Sequence, residues 1–331
     1  MSKTIRWGIL GTGVIARRFA EGLGHAPGAE LLAVGSRART SAQAFAAALG
    51  ARRAYGSYEE LVADRDVDVV YIATPNTLHR ENALLCFDRG KAVLCEKPFT
   101  INADEARSVA EVARRKRLFC MEAMWMRFSP LMMEAEAILR RGVLGDLRMV
   151  SVQLGLSFEP SPAHRVFRPD LGGGALLDLG VYPISLAHKL LGRPTRIVSD
   201  TVLGPTGVDE QVSAILGFPG GRQAIVSASL RNRTTNEAVL MGTHGTMRLH
   251  APLYQPEVLS FARTPLEGAA PSARLGRFAQ HPFVRDITSR VAALRTRSIA
   301  RRAAGNGYNH EAVEVMRCLR EGALESRIMP L

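Results

Sequence analysis

The sequence predicts an α/β doubly wound parallel sheet followed by an α+β region with a large, open, mostly antiparallel sheet. Three observations carry this. Up to about residue 122, short apolar runs alternate with segments of helical periodicity, the signature of βαβ units. The first run leads straight into a glycine-rich turn and a helix. Beyond Met121 the strands lengthen, alternate polar with apolar residues, and meet at glycine-rich hairpin turns. The expected division is 1–122 for the first domain and 123–331 for the second, in line with the usual domain size for 331 residues.

Thr4–Leu10 is the first predicted strand, with Ile5, Trp7, Ile9 and Leu10 giving its apolar character. Gly11-Thr12-Gly13-Val14-Ile15-Ala16 follows and opens a helix in which Ile15, Phe19 and Leu23 recur every four residues. Strand, GxGxxA, helix is the order of a Rossmann dinucleotide-binding turn. Gly11 permits the tight turn, Gly13 lets backbone approach a diphosphate, and Ala16 lets the helix pack close. The free N–H groups and the dipole of the helix start then favour the anion, which makes Gly11, Thr12, Gly13, Val14 and Ile15 candidate cofactor ligands.

The second strand, Glu30–Val34, ends in Gly35-Ser36-Arg37. An NAD site expects an acid near this point to grip the adenine ribose. No acidic residue lies between Glu30 and Glu59, and Ser36 and Arg37 stand there instead, with Arg39 close by. A hydroxyl and a guanidinium fork suit a 2′-phosphate. NADP(H) is therefore the expected cofactor, with NAD(H) as the alternative.

Thr40–Leu49 and Tyr58–Ala63 read as helices, and Asp68–Ala73 as the next strand. It runs into Thr74-Pro75-Asn76-Thr77-Leu78-His79 and a helix to Arg89. Thr74, Pro75 and Asn76 are candidate cofactor contacts. His79 is either a cofactor contact or an ordinary residue of the helix start. Ala92-Val93-Leu94-Cys95-Glu96-Lys97-Pro98 is a buried strand that stops on a lysine. Ligands of open α/β sheets sit beyond the carboxyl ends of the strands. Glu96 and Lys97 therefore face the cofactor crevice, with Pro98 stiffening the turn. Asn102-x-x-Glu105 is a capping box for a helix with Ala106, Val109, Ala110 and Ala113 on one face, and Leu118–Met121 is the last strand of this half.

In the second half, Pro130–Arg141 is a helix closed by Gly142. Pro219-Gly220-Gly221 joins the strands Gln211–Gly217 and Arg222–Leu230, and Gly242 to Gly245 joins Ala238–Met241 to Met247–His250. Phe283, Ile287, Val291 and Leu294 form an apolar stripe among arginines, more often a packed helix than a membrane one. Asn309–Glu321 closes the chain as a helix.

The formal net charge of +12 invites a nucleic-acid partner. The arginines are spread over many helices, however, and the 6% aromatics are not interleaved with them, so a solvated basic surface with a bias towards anionic ligands is expected. Cys86, Cys95, Cys120 and Cys318 form no CxxC pair and read as small core residues in a reducing compartment. No metal site is expected. The N-terminus lacks a signal-peptide apolar run, and no stretch is long enough to span a bilayer. A cytoplasmic protein with neither membrane nor nucleic-acid partner is expected.

Gly172-Gly173-Gly174-Ala175-Leu176-Leu177-Asp178-Leu179-Gly180-Val181-Tyr182-Pro183 is the second informative stretch. Asp178 and Tyr182, four apart, share a helix face. They form either a structural hydrogen-bonded pair or part of a site. Oxidising a secondary alcohol needs a hydride acceptor and a group for the hydroxyl proton. A free phenol titrates near ~10, and a nearby ammonium lowers that. Lys97 is the candidate ammonium, Tyr182 the proton donor or acceptor, and Asp178 the group that positions them.

These stretches, with Glu96-Lys97-Pro98, Ala73-Thr74-Pro75-Asn76, Met121–Phe128 and Asn309-His310-Glu311-Ala312, resemble the glucose–fructose oxidoreductase / inositol dehydrogenase (Gfo/Idh/MocA) family over nearly the whole chain. The segment Met121–Phe128 is most similar to dimeric dihydrodiol dehydrogenases and NADP-dependent D-xylose dehydrogenases. The resemblance implies that Lys97, Asp178 and Tyr182 are catalytic and that Trp125, Arg127 and Tyr182 face substrate. On the residues alone, Trp125 and Arg127 are an interdomain packing pair. The resemblance also implies a sugar or cyclic diol as substrate and a homodimer, or a higher homo-oligomer, formed through the open sheet face. A non-catalytic NADP(H)-binding regulator on the same fold is the alternative. The arginine-rich 265–307 segment matches none of the family's site motifs.

Overall fold

The computed structural model describes residues 3–263, 296–302 and 304–331. The apolar stripe at Phe283, Ile287, Val291 and Leu294 lies outside them. The first half is a parallel sheet: β1 (Ile5–Leu10), β2 (Ala29–Gly35), β3 (Arg53–Tyr55), β4 (Val69–Ile72), β5 (Ala92–Glu96) and β6 (Cys120–Ala123), in the order β3-β2-β1-β4-β5-β6. The chain order reverses between β1 and β4, which opens a crevice at their carboxyl ends. β4 is buried at all four residues and β5 at all five, as expected of strands covered on two faces.

The crossovers are α1 (Val14–Leu23), α2 (Arg39–Leu49), α3 (Tyr58–Ala63), α4 (His79–Asp88) and α5 (Ala103–Lys116). On α1, Phe19 stacks on Tyr71 of β4 with ring centroids 3.7 Å apart, which fixes the helix over the sheet. The predicted start of α5 is present: Asn102 Oδ1 accepts from the Glu105 N–H at 2.9 Å. The last strand begins two residues later than expected and runs to Ala123, where it pairs with Glu96.

The second half is an eight-stranded sheet: β7 (Leu147–Gly155), β8 (Arg196–Leu203), β9 (Asp209–Phe218), β10 (Arg222–Ser229), β11 (Ala238–Gly242), β12 (Gly245–Leu249), β13 (Val258–Arg263) and β14 (Arg297–Ala300). Its order is β14-β13-β12-β11-β7-β10-β9-β8. Both expected hairpins form. β7 and β10 run parallel, the single parallel pair among these strands. The helices α6 (Pro130–Arg140) and α7 (Val181–Leu191) pack on one face of this sheet. Residues paired across strands share a face, so Val198, Ile215 and Ile225 lie together on the other face, where all three are exposed.

The final helix, α8 (Tyr308–Glu321), returns to pack on α1 and on the 3-10 turn Trp125–Phe128. The C-terminus of the chain thus clamps the two halves. All four cysteines are free and buried.

Candidate active site

Every group of the candidate site sits where a strand ends or a helix begins. β1 delivers Gly11, whose φ of 103° suits glycine, and whose Cβ would meet the Ala73 carbonyl oxygen at 2.5 Å. Thr12 lies in the same turn. A Cβ on Gly13 would meet no protein atom within 4 Å. No side chain caps the start of α1, no acid lies in its first turn, and Val14 and Ile15 are exposed there. An open cradle under uncapped N–H groups fits a nucleotide diphosphate. At the end of β2, Ser36 is buried, while Arg37 and Arg39 are exposed.

The loop after β4 is held from beneath. His79 is buried, with Nδ1 2.8 Å from the Pro98 carbonyl and Nε2 3.0 Å from the Thr74 carbonyl, so it bolts together the two loops that lead to Asn76 and Lys97. Burial holds its imidazole below the usual histidine value. Asn82 Nδ2 donates to Thr74 Oγ1 at 2.9 Å. Past Pro75, Asn76 Nδ2 donates to the Gly172 carbonyl at 3.0 Å, tying this loop to the glycine run of the second half.

Glu96 ends β5 inside the protein. Its carboxyl accepts from the Tyr71 hydroxyl and, at 3.1 Å, from the Lys97 backbone N–H. Burial pushes it up to about 7, against the pull of those donors and of Lys97. Lys97 follows with its side chain in the cleft: Nζ donates to the Asp178 carbonyl at 2.9 Å, lies 3.7 Å from Asp178 Oδ1, and stands over the Tyr182 ring, 5.1 Å from its centroid.

Asp178 and Tyr182 are buried as expected, but the helix that carries them is not uniform. Leu176–Gly180 forms a π turn that runs into α7, a local widening common where a helix must aim side chains at a site. Asp178 Oδ1 accepts from the Arg165 guanidinium at 2.8 Å. Burial raises the Asp178 carboxyl, and Lys97 with Arg165 overcomes this and holds it below the usual range. The Tyr182 hydroxyl receives a hydrogen bond from Trp125 Nε1 at 2.9 Å. From the sequence, a nearby ammonium is expected to lower this phenol. Here Lys97 faces the ring while Trp125 holds the oxygen, and burial pushes the phenol above its ordinary value.

Trp125 in turn stacks on Tyr308 at 4.5 Å and leans on Tyr254 at 6.0 Å, so aromatic rings wall the Tyr182 side. Arg127 is placed differently. Its donors go to Ser185 Oγ at 2.8 Å, the Ser185 carbonyl at 2.9 Å and the Ile328 carbonyl at 3.4 Å. These partners lie in the second half, as Arg127 itself does, so the bonds are not the interdomain pairing with Trp125 expected from the residues alone.

Sequence reasoning missed Arg165, Tyr254, Tyr308 and the burial of Glu311. Glu311 is fully buried, and neither carboxyl oxygen has a partner among the described residues. Burial, then the neighbouring Glu96, holds it well above the usual carboxylate value. An acid within the apolar face Tyr308, Ala312, Val315 was the signal available.

Comparison with known proteins identifies both halves of the chain. The profile described as "Oxidoreductase family, NAD-binding Rossmann fold" (GFO/IDH/MocA) matches residues 5–124, and the GFO/IDH/MocA C-terminal domain matches 132–248. The chain is 35% identical to trans-1,2-dihydrobenzene-1,2-diol dehydrogenase of Bos taurus, across 99% of this chain and 92% of that one. It is also 35% identical to D-xylose 1-dehydrogenase (NADP(+)) of Hypocrea jecorina, across 99% and 88%. A 3-ketoreductase from Actinomadura kijaniata, solved in complex with NADP and TDP-benzene, superposes with a TM-score of 0.79 at 26% identity, covering 97% of this chain and 91% of that one. With both halves matched in order along the chain, this protein belongs to the GFO/IDH/MocA family and is an oxidoreductase.

Proposed function

We infer that this chain is an NADP(H)-dependent dehydrogenase or reductase for a secondary alcohol or carbonyl of a sugar or cyclic diol. The observation that carries this is the meeting of Lys97 from the first half with Asp178 and Tyr182 from the second, across a cleft at the carboxyl ends of β1 and β4. Gly11, Thr12, Gly13, Val14 and Ile15 hold the diphosphate. Ser36 and Arg37 hold the 2′-phosphate. Thr74, Pro75, Asn76 and the Glu96-Lys97 corner line the nicotinamide end. The cofactor supplies or accepts the hydride when bound.

The protein's own work is positioning and proton transfer. The buried Tyr182 phenol is neutral, which suits donation of a proton to a carbonyl oxygen as that oxygen gains negative charge. In the reverse direction Tyr182 acts as its phenolate, and that oxygen takes the proton of the alcohol as the hydride leaves. The Lys97 ammonium stabilises the negative charge in either direction, and Asp178 holds Lys97 in place. Trp125 fixes the phenol and, with Tyr254 and Tyr308, offers a flat aromatic wall to a ring substrate. His79 and Arg127 act by holding loops.

The exposed outer face of the second sheet, with Val198, Ile215 and Ile225, is the surface through which two copies pair. Among the described residues no helix is long and apolar enough to cross a membrane. The test of function is absorbance at the reduced-nicotinamide band across a panel of aldoses, inositols and cyclic trans-diols. Turnover of at least one with NADP+ is expected. Tight NADP(H) binding with no turnover across the panel would favour the regulatory alternative.

A further inference from the structure

The contact that no element of the reaction yet uses is the one between Arg165 and Asp178. Arg165 opens the 3-10 turn Arg165–Phe167, which is anchored by the fully buried Val166 and Phe167. That turn lies against the glycine run: the Gly174 N–H donates to the Val166 carbonyl at 2.9 Å, and a Cβ on Gly173 would stand 2.6 Å from the same oxygen. The same segment reaches the first half, where Thr77 Oγ1 donates to the Asp170 carbonyl at 3.3 Å and Asn76 to the Gly172 carbonyl. Arg165 is therefore set by backbone packing rather than by its own side chain. Its guanidinium is half exposed, whereas Asp178 is buried.

Asp178 has two cations and one carboxyl group within reach of both. Arg165 takes Oδ1 at 2.8 Å, while Lys97 lies 3.7 Å from that atom and spends a hydrogen bond on the Asp178 backbone carbonyl. A carboxylate already bound by a guanidinium attracts a second cation less, because much of its charge is neutralised. We propose that Arg165 is a positioning residue of the reaction: by occupying Asp178 Oδ1 it keeps the carboxylate from closing on Lys97 and leaves the ammonium over the Tyr182 ring. The proposal rests on the reading of Lys97 and Tyr182 as the reacting pair. The charged and titratable groups around Asp178 are Lys97 just past β5, Arg165 and His164 at the turn, and Tyr182 from α7, with Glu96 behind Tyr182.

The test is alcohol oxidation by Arg165→Met and Arg165→Lys, using whichever panel alcohol turns over fastest, with kcat measured against pH. In Arg165→Met, Asp178 draws Lys97 off the phenol. A loss of about tenfold in kcat and an acid limb moved up by about one pH unit are expected, the size of shift one nearby charge causes. Arg165→Lys retains a cation at the turn and should return the limb most of the way to wild type, with KM for NADP+ unchanged in both. A wild-type profile in Arg165→Met overturns the proposal. So does an Arg165→Lys profile displaced as far as that of Arg165→Met, because a merely structural loss would not distinguish charge. If Arg165→Met fails to fold, Arg165→Gln replaces it under the same criteria. Tyr182→Phe run in parallel separates the two readings. If it remains active, the reaction scheme itself fails; if it is inactive while Arg165→Met behaves as wild type, only this inference fails.

Discussion

Replacing Tyr182 by phenylalanine removes one oxygen and leaves the ring. Two costs follow, and they are read by different assays. The first is stability. Trp125 Nε1 donates to that oxygen at 2.9 Å inside the protein, and the variant leaves a buried donor unpaired. Such a group costs about 1–3 kcal/mol, which lowers Tm by several degrees for a chain of this size. The second is chemical. Loss of a positioned proton donor lowers turnover by about 10²–10⁴, roughly 3–5 kcal/mol in the barrier. The phenol belongs to α7 of the second half and the diphosphate turn at Gly11–Ile15 to the first, so the Kd for NADPH should change by less than about threefold, under ~1 kcal/mol. Initial rates at saturating NADP+, fluorescence titration with NADPH and a thermal melt give the three numbers. A variant that melts lower, binds NADPH normally and keeps kcat within about fivefold of wild type would refute the assignment, because the packing change would be present without the chemical one.

Other consequences are equally open to measurement. Arg37→Asp should weaken NADP(H) by roughly 10–100-fold, the worth of a charge-assisted contact, and leave NAD(H) affinity much less affected; equal losses would remove the 2′-phosphate argument. Ile215→Glu puts a charge in the outer apolar face beside Val198 and Ile225, so the particle mass by light scattering should fall to that of one chain, whereas an unchanged dimer would place the interface elsewhere. Glu96 has a folded value of about 7 against an ordinary 4.5, so its protonated form favours the folded state below about pH 4.5 and this advantage is lost as pH climbs towards 7. Glu96→Gln should therefore gain stability relative to wild type across that window, by at most about 3 kcal/mol. A constant difference between the two proteins from pH 4.5 to 7.5 would show that Glu96 is not held protonated.

Local signals are what the sequence made readable. The five-residue strand that stops just before Lys97, the GxGxxA turn, the Asn102 cap and the Pro219-Gly220-Gly221 hairpin each depend on neighbours a few residues away, and each is present. β3 escaped because three residues show no periodicity. β8 escaped because all eight of its residues are exposed, so no alternation marks it. The parallel pairing of β7 with β10 joins segments some seventy residues apart and leaves no local trace. The site divides in the same way. Lys97, Asp178 and Tyr182 sit in patterned stretches, and the structure brings them together. Arg165 is a single arginine in a loop, and only folding brings it to Asp178. For His79 and Arg127 the sequence left two readings open, and only the fold shows that their side chains bond to protein groups, the Pro98 and Thr74 carbonyls and Ser185.

The claim beneath all of this is that Lys97 and Tyr182 act as one unit. Groups that act together are non-additive when removed. The direct measurement is kcat for Lys97→Met, Tyr182→Phe and the double variant, with NADPH binding checked in each. The account predicts a double variant no slower than the slower single variant, within about threefold. Losses that multiply would mean that the ammonium and the phenol serve separate purposes.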